Sequence, residues 1–239
     1  MRLRRVLTEH GPQVEALKTS APEQWVRLSN INSLNDIQEQ FSKNNLTTST
    51  LAVLELGNEG NHLNFITTGE EIFKPSYTQA LDYELELGAI LAKPLLNASP
   101  AEAEKAIGGY VVLNDISARD VQLAEMKSGF GPQKAKHFLN AMSHIVVTAD
   151  EISDRINQLQ GSIIIDGMKC AACSTSNMQY SLGEAIAYAS RNEQLHVGEL
   201  FGSGTLPGGS GMENDHWVHS GNLLTLEIDD IAKLTNKII

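Results

Sequence analysis

Three acidic residues in two short stretches have the types and spacing to do chemistry. Glu84 and Glu86 lie two apart in Leu81-Asp82-Tyr83-Glu84-Leu85-Glu86-Leu87-Gly88-Ala89-Ile90-Leu91, and Asp115 follows the apolar run 110–113, beside Asn114. Residues two apart on a strand share a face, about 6.7 Å apart along the backbone. At an effective dielectric of 20, two carboxylates at that separation repel by roughly 2.5 kcal/mol. The opposite face of this segment is Tyr83, Leu85 and Leu87, and the segment runs on as Ala89-Ile90-Leu91, so it reads as a central strand. There a glutamate pair needs a cation or bound protons to offset the repulsion. Solvated glutamates on an exposed sheet face are the competing reading. Three carboxylates from neighbouring strand ends would make an all-oxygen site, suited to Mg²⁺, Ca²⁺ or Mn²⁺ rather than zinc. Periodicity alone leaves the adjacency of the two stretches open.

The elements that must position these acids follow from local signals. Ser99-Pro100-Ala101-Glu102 opens a helix, with a Ser N-cap, Pro at the first position and Glu at the third. That helix runs to about Ile107, stops at Gly108-Gly109, and returns the chain to the strand before Asp115. Residues 1–50 are polar and weakly periodic, with helix starts at Ser20-Ala21-Pro22-Glu23 and Ser33-Leu34-Asn35-Asp36. Strands over 50–56 and 64–68 are joined at Gly57-Asn58-Glu59-Gly60. Glu125 to Gly131 reads as a polar loop. Thr148-Ala149-Asp150-Glu151 opens a short helix by the capping-box pattern. Asp166-Gly167 turns a hairpin between 162–166 and 169–173. Ser181-Leu182-Gly183-Glu184 caps an amphipathic helix to about Ser190, 222–228 is a closing strand, and 229–239 a short tail.

The chain has 239 residues and a net charge of −11, which argues against nucleic acid as a partner, since phosphate binding needs a basic face. No apolar run is long enough to span a bilayer, and no apolar signal region follows Arg2, Arg4 and Arg5, so the chain reads as cytoplasmic with no membrane partner. Cys170 and Cys173 are spaced as a redox or zinc pair, but they stand alone and in a hairpin, so incidental or buried thiols are the better reading. Residues 205–211 are glycine-rich without either phosphate-loop order, and no serine there fits a nucleophile elbow. A tight connection that lets backbone approach a ligand is what remains.

The stretches resemble the fumarylacetoacetate hydrolase family. The matching signatures are Asp82-Tyr83-Glu84-Leu85-Glu86, Gly109-Tyr110 leading to Asn114-Asp115-Ile116-Ser117-Ala118-Arg119-Asp120-Val121-Gln122, Gly131-Pro132-Gln133-Lys134-Ala135-Lys136-His137-Phe138, and Gly202-Ser203-Gly204-Thr205. Their order and spacing fit from about Phe73 onward. The resemblance implies a mixed α/β, β-rich fold of rolled mixed sheets with peripheral helices, most often a homodimer. It implies a divergent N-terminal segment at 1–70 and a catalytic domain at 71–239. It implies a divalent cation, Mg²⁺ first and Mn²⁺ or Ca²⁺ as alternatives, on Glu84, Glu86 and Asp115. Lys136 would lie near the metal and the substrate carboxylate, Arg119 and Gln122 would orient a carboxylate or carbonyl, and Thr205 would contact the substrate carboxylate. Glu213 would orient a catalytic histidine, for which His10 and His62 are the candidates before the acidic strand. The chain departs from many relatives in carrying His137 after the lysine and Asn140 four residues beyond it.

The substrate class so implied is a small oxo acid. The first expected reaction is hydrolysis of a C–C bond in a β-diketo acid, with a histidine activating water. The second is decarboxylation of a 2-oxo acid or enol–keto or double-bond isomerisation, which needs no such histidine. The third is a non-catalytic member that only binds. For Asp120 the plainer reading is a local salt bridge with Arg119 that holds the turn; for Arg119 that reading stands level with substrate orientation.

Overall fold

The computed structural model describes residues 65–129 and 131–239, together with the backbone of three strands before them. Those are β1 (Arg2–Thr8), β2 (Gly11–Leu17) and β3 (Trp25–Arg27). The chain continues through β4 (Phe65–Thr67), β5 (Glu71–Ile72), β6 (Leu81–Asp82) and β7 (Leu85–Leu91) to helix α1 (Pro100–Ala106). Then come β8 (Ile107–Asn114), β9 (Ser117–Ala118), α2 (Arg119–Ser128), β10 (Asn140–Met142), β11 (Ile145–Thr148) and α3 (Ala149–Ile152). The last part holds β12 (Gln160–Ile165), β13 (Met168–Ser174), α4 (Leu182–Ala189), β14 (Leu200–Gly202), α5 (Gly211–Asn214), β15 (Leu223–Ile228) and β16 (Ala232–Ile238).

Two mixed sheets carry the molecule. In the larger the order is β14-β7-β8-β11-β1-β2-β3, with β10 paired to both β8 and β4. In the smaller it is β13-β12-β15-β16-β5. The β4–β10 and β5–β16 pairs are parallel and the others antiparallel. The core lies between the sheets: Leu85, Leu87, Leu91, Tyr110 and Val112 from one meet Ile163, Leu224, Leu226, Leu234 and Ile238 from the other. Every residue of β7 and β8 is buried, which is why both segments read as apolar runs. The β-rich mixed fold with outlying helices is as expected. Among the described residues no helix is long and apolar enough to cross a membrane.

The caps fix where the helices begin. Ser99 and Ser181 each form the reciprocal capping box with Glu102 and Glu184, as expected. Asp166 and Gly167, at φ 51° and 81°, make the two-residue hairpin turn. Cys173 is buried in β13 and both cysteines are free, so the thiols are incidental.

Several local expectations are corrected. Helix α1 ends at Ala106 rather than at the glycines: Ile107 is already extended, and Gly109 is a strand residue opposite Ile90. The stretch from Glu125 is not a loop at first, because α2 runs to Ser128 and stops where Gly129 takes a left-handed φ of 82°. Thr148 precedes α3 without a side-chain capping bond. Trp25–Arg27 is a strand, so the Ser20 signal does not lead into a helix there. The polar N-terminus holds the antiparallel pair β1–β2, which extends the large sheet through β11. The tail is strand β16, whose buried Asn236 donates to the carbonyls of Thr67 and Glu70. Asn236, polar on its inward face, interrupts the period-2 apolar pattern. Arg119 and Asp120 form no local pair; Asp120 accepts from Thr78 Oγ1 and the Gln79 N–H. The Ser33 signal, the 50–60 hairpin, His10 and His62 lie outside the described residues.

Candidate metal centre

Antiparallel pairing of β7 with β8 answers the question of adjacency. Leu85 lies opposite Asn114 and Glu86 opposite Leu113, so the chain leaving β8 at Asp115 emerges beside the start of β7. The Asp115 N–H donates to the Glu84 carbonyl at 3.2 Å, and the Glu84 N–H to Asn114 Oδ1 at 3.0 Å. Glu84 lies one residue before β7 and bridges to Ser210 on its other side. One carboxylate oxygen from each of Glu84, Glu86 and Asp115 lies within 4.8 Å of the others. The three acids singled out from sequence are therefore gathered, more tightly than strand spacing alone gives.

Among the described residues, two cations face this cluster. Lys136 Nζ donates to Glu84 at 2.7 Å, Asp115 at 2.9 Å and Ser117 Oγ at 2.6 Å. Arg119 Nε donates to Asp82 at 2.7 Å, and its Nη1 to Glu84 at 2.6 Å and Gln122 Oε1 at 2.9 Å. Glu84 thus sits between ammonium and guanidinium. Burial pushes its carboxyl up, but Lys136 and then Arg119 outweigh burial and hold it below the usual range. Glu86 has no such partner among the described residues. Burial, and then the charges of Asp115 and Glu84, push it up to about 8. Burial also raises Asp115, helped by Glu84 and opposed by Lys136. Among the described residues four carboxyl groups, counting Asp82, stand against two cationic side chains. An all-oxygen donor set with surplus negative charge fits a hard divalent ion.

Sequence reasoning left several supporting residues without a role. Asp82 is fully buried and accepts from Arg119 and from the N–H groups of Tyr83, Gly211 and Met212. It ties the start of α5 to the acidic segment. The signal was there, since Asp82, Glu84 and Glu86 alternate with apolar residues. Ser117 and Asn114 likewise sit inside the singled-out stretch, and hold Lys136 and Glu84 respectively.

The other expected site residues are placed as follows. Gln122 is half-buried, with its Oε1 engaged by Arg119. Arg119 Nη2 is buried and has no partner among the described residues. Thr205 is half-buried in the turn after β14, near Ser203, whose hydroxyl accepts the Leu87 N–H. The Glu213 carboxylate accepts from the Gly208 and Ser210 N–H groups and from the Ser210 hydroxyl. His137 is exposed, and Asn140 begins β10.

Comparison with known proteins bears on the same residues. A family model for the fumarylacetoacetate hydrolase C-terminal region matches residues 32–239. The oxaloacetate tautomerase YisK of Bacillus subtilis is 29% identical over 178 residues, which cover 74% of this chain and 56% of that protein. The human mitochondrial oxaloacetate tautomerase FAHD1 is 32% identical over 148 residues, 62% of this chain and 67% of that protein. The chain thus spans little more than half the length of the Bacillus protein. The structure of a fumarylpyruvate hydrolase from Pseudomonas aeruginosa, in complex with Mn²⁺ and pyruvate, matches with a TM-score of 0.66 at 24% identity, covering 74% of this chain and 75% of that one.

Proposed function

This chain belongs to the fumarylacetoacetate hydrolase family, and we propose that it is a divalent-metal-dependent tautomerase that interconverts the enol and keto forms of a small 2-oxo acid such as oxaloacetate. The observation that carries this reading is Lys136 Nζ, placed within 2.9 Å of carboxylate oxygens of both Glu84 and Asp115. Enol–keto exchange develops negative charge on one oxygen and moves one proton between that oxygen and carbon. An ammonium held at a carboxylate cluster suits the first need and can hold the proton for the second. Two relatives named oxaloacetate tautomerase support the choice over C–C hydrolysis.

Glu84, Glu86 and Asp115 would hold the ion, with Mg²⁺ or Mn²⁺ the first choices. When bound, it supplies Lewis acidity towards the oxo and carboxylate oxygens of the substrate. Arg119 fixes Glu84 from the side opposite Lys136, so that the Glu84 carboxylate is held from two directions. Gln122, with its Oε1 engaged, has amide N–H groups to offer a substrate oxygen. Thr205 offers a hydroxyl from the turn after β14. The assembly proposed is a homodimer.

The metal is tested first by melting. A ligand that binds only the native state at 100 times its Kd adds about 2.7 kcal/mol. For a chain of this size that is roughly 5–11 °C. Chelator-stripped protein should gain a shift of this order on saturation with Mn²⁺, and an unchanged melting temperature would remove the metal from the reading.

The reaction is tested with enol-oxaloacetate, followed by its ultraviolet absorbance and by proton NMR in D₂O. The expected result is faster loss of the enol and faster deuterium exchange at C3, both dependent on Mn²⁺ or Mg²⁺. Acetate and pyruvate from acetylpyruvate, with no effect on oxaloacetate, would instead establish hydrolysis. Pyruvate and CO₂ from oxaloacetate would establish decarboxylation.

A further inference from the structure

Glu86 is the one acid of the cluster that neither Lys136 nor Arg119 holds by a hydrogen bond, so something else must fix its carboxylate. The neighbouring edge strand supplies the answer. Gly202 lies opposite Gly88 in the β14–β7 pair, two residues along β7 from Glu86. A Cβ built on Gly202 would stand 2.1 Å from Glu86 Oε2 and 2.9 Å from Leu113 Cδ2. No real carbon tolerates the first distance. The Glu86 side chain therefore occupies the space that any other residue at 202 would fill. The chain then turns at Ser203, whose hydroxyl accepts the Leu87 N–H, and at Gly204, whose φ of 74° suits glycine.

We infer that Gly202 is a positioning residue that seats Glu86: its missing side chain leaves the room that the carboxylate occupies. This deepens the metal reading above and rests on it. It gives the first glycine of the Gly-Ser-Gly-Thr turn a task separate from that of Thr205. The clash is with the tip of a flexible side chain, so the strand can keep its pairing while Glu86 swings away. A methyl at 202 should thus cost metal affinity more than stability. Gly88 offers the contrast, since its added Cβ would meet Val111 at 2.6 Å and Leu200 at 3.1 Å, both apolar.

The test is a double-mutant cycle read by Mn²⁺ binding, using electron paramagnetic resonance of free Mn²⁺ and thermal melts of the metal-free proteins. Gly202→Ala should weaken Mn²⁺ binding at least tenfold while its metal-free melting temperature stays within a few degrees. Glu86→Asp, whose shorter arm clears the methyl, should also bind more weakly. The double variant should bind no worse than Glu86→Asp alone, because the methyl then has nothing to displace. Gly88→Ala should lower the melting temperature and leave affinity within about twofold. Full additivity of the two losses, or unchanged affinity in Gly202→Ala, would overturn the inference while leaving the metal site standing. Failure of the unaltered protein to bind Mn²⁺ would remove the metal reading and this inference with it. If Gly202→Ala does not fold, recovery of folding in the double variant supports the seat, and continued failure places the clash at Leu113 and overturns it.

Discussion

Glu84→Ala should cost the metal-free protein about 3–5 kcal/mol and reduce metal-dependent turnover at least ~10²-fold. Glu84, Arg119 and Lys136 are all nearly buried, and Glu84 is where the two cations meet. Among the described carboxylates, removing it leaves Arg119 with Asp82 alone and Lys136 with Asp115 alone. Breaking a buried pair from one side leaves the other side's charge uncompensated, which is why the expected loss exceeds that of an exposed pair. Glu84→Gln separates the two effects. Its amide oxygen can still accept from Arg119, so its stability loss should be smaller, while the lost charge should still weaken Mn²⁺ binding. Urea unfolding of the stripped proteins gives the first quantity and Mn²⁺-dependent loss of enol-oxaloacetate the second. A folded Glu84→Gln protein with full turnover would show that this carboxylate is no metal ligand. Loss of turnover with the fold intact would count against a member of the family that only binds.

What the sequence made legible is what local chemistry determines. The serine caps, the Asp166-Gly167 turn and the β7 and β8 runs each carry their signal within a few residues, and the structure has them at those places. The three acids were visible because carboxylates are rare in such apolar runs. What was hidden depends on partners distant in the chain. Asp82 is explained by Arg119, Gly211 and Met212, 37 to 130 residues away. Asn236 looks like a tail residue until Thr67 and Glu70 are seen to accept from it. Gly202 reads as a turn glycine, and only the neighbouring strand shows that its missing side chain makes room for Glu86. The start of β1 is rich in arginine and carries no strand pattern, yet its backbone completes the pairing of β11.

Lys136→Met should move three quantities in different directions. Turnover should fall by about 10²–10⁴-fold, the usual span for losing a group that stabilises charge or transfers a proton. Stability of the stripped protein should fall by about 3 kcal/mol or more, because Glu84 and Asp115 lose a largely buried partner. Mn²⁺ affinity should rise severalfold. The ammonium lies 2.7 and 2.9 Å from oxygens of two proposed ligands, so a cation entering the cluster meets a like charge that already engages them. Methionine keeps most of the length of the side chain and removes that competitor. The melting shift on adding Mn²⁺ should therefore be larger in the variant than in the unaltered protein, since the ion supplies the charge that the lysine no longer provides. Titration calorimetry gives the affinity and paired melts give the shift. Weaker Mn²⁺ binding in Lys136→Met would mean that the lysine's main task is to hold the two carboxylates in place, and that the proton in the enol–keto step is carried by another group.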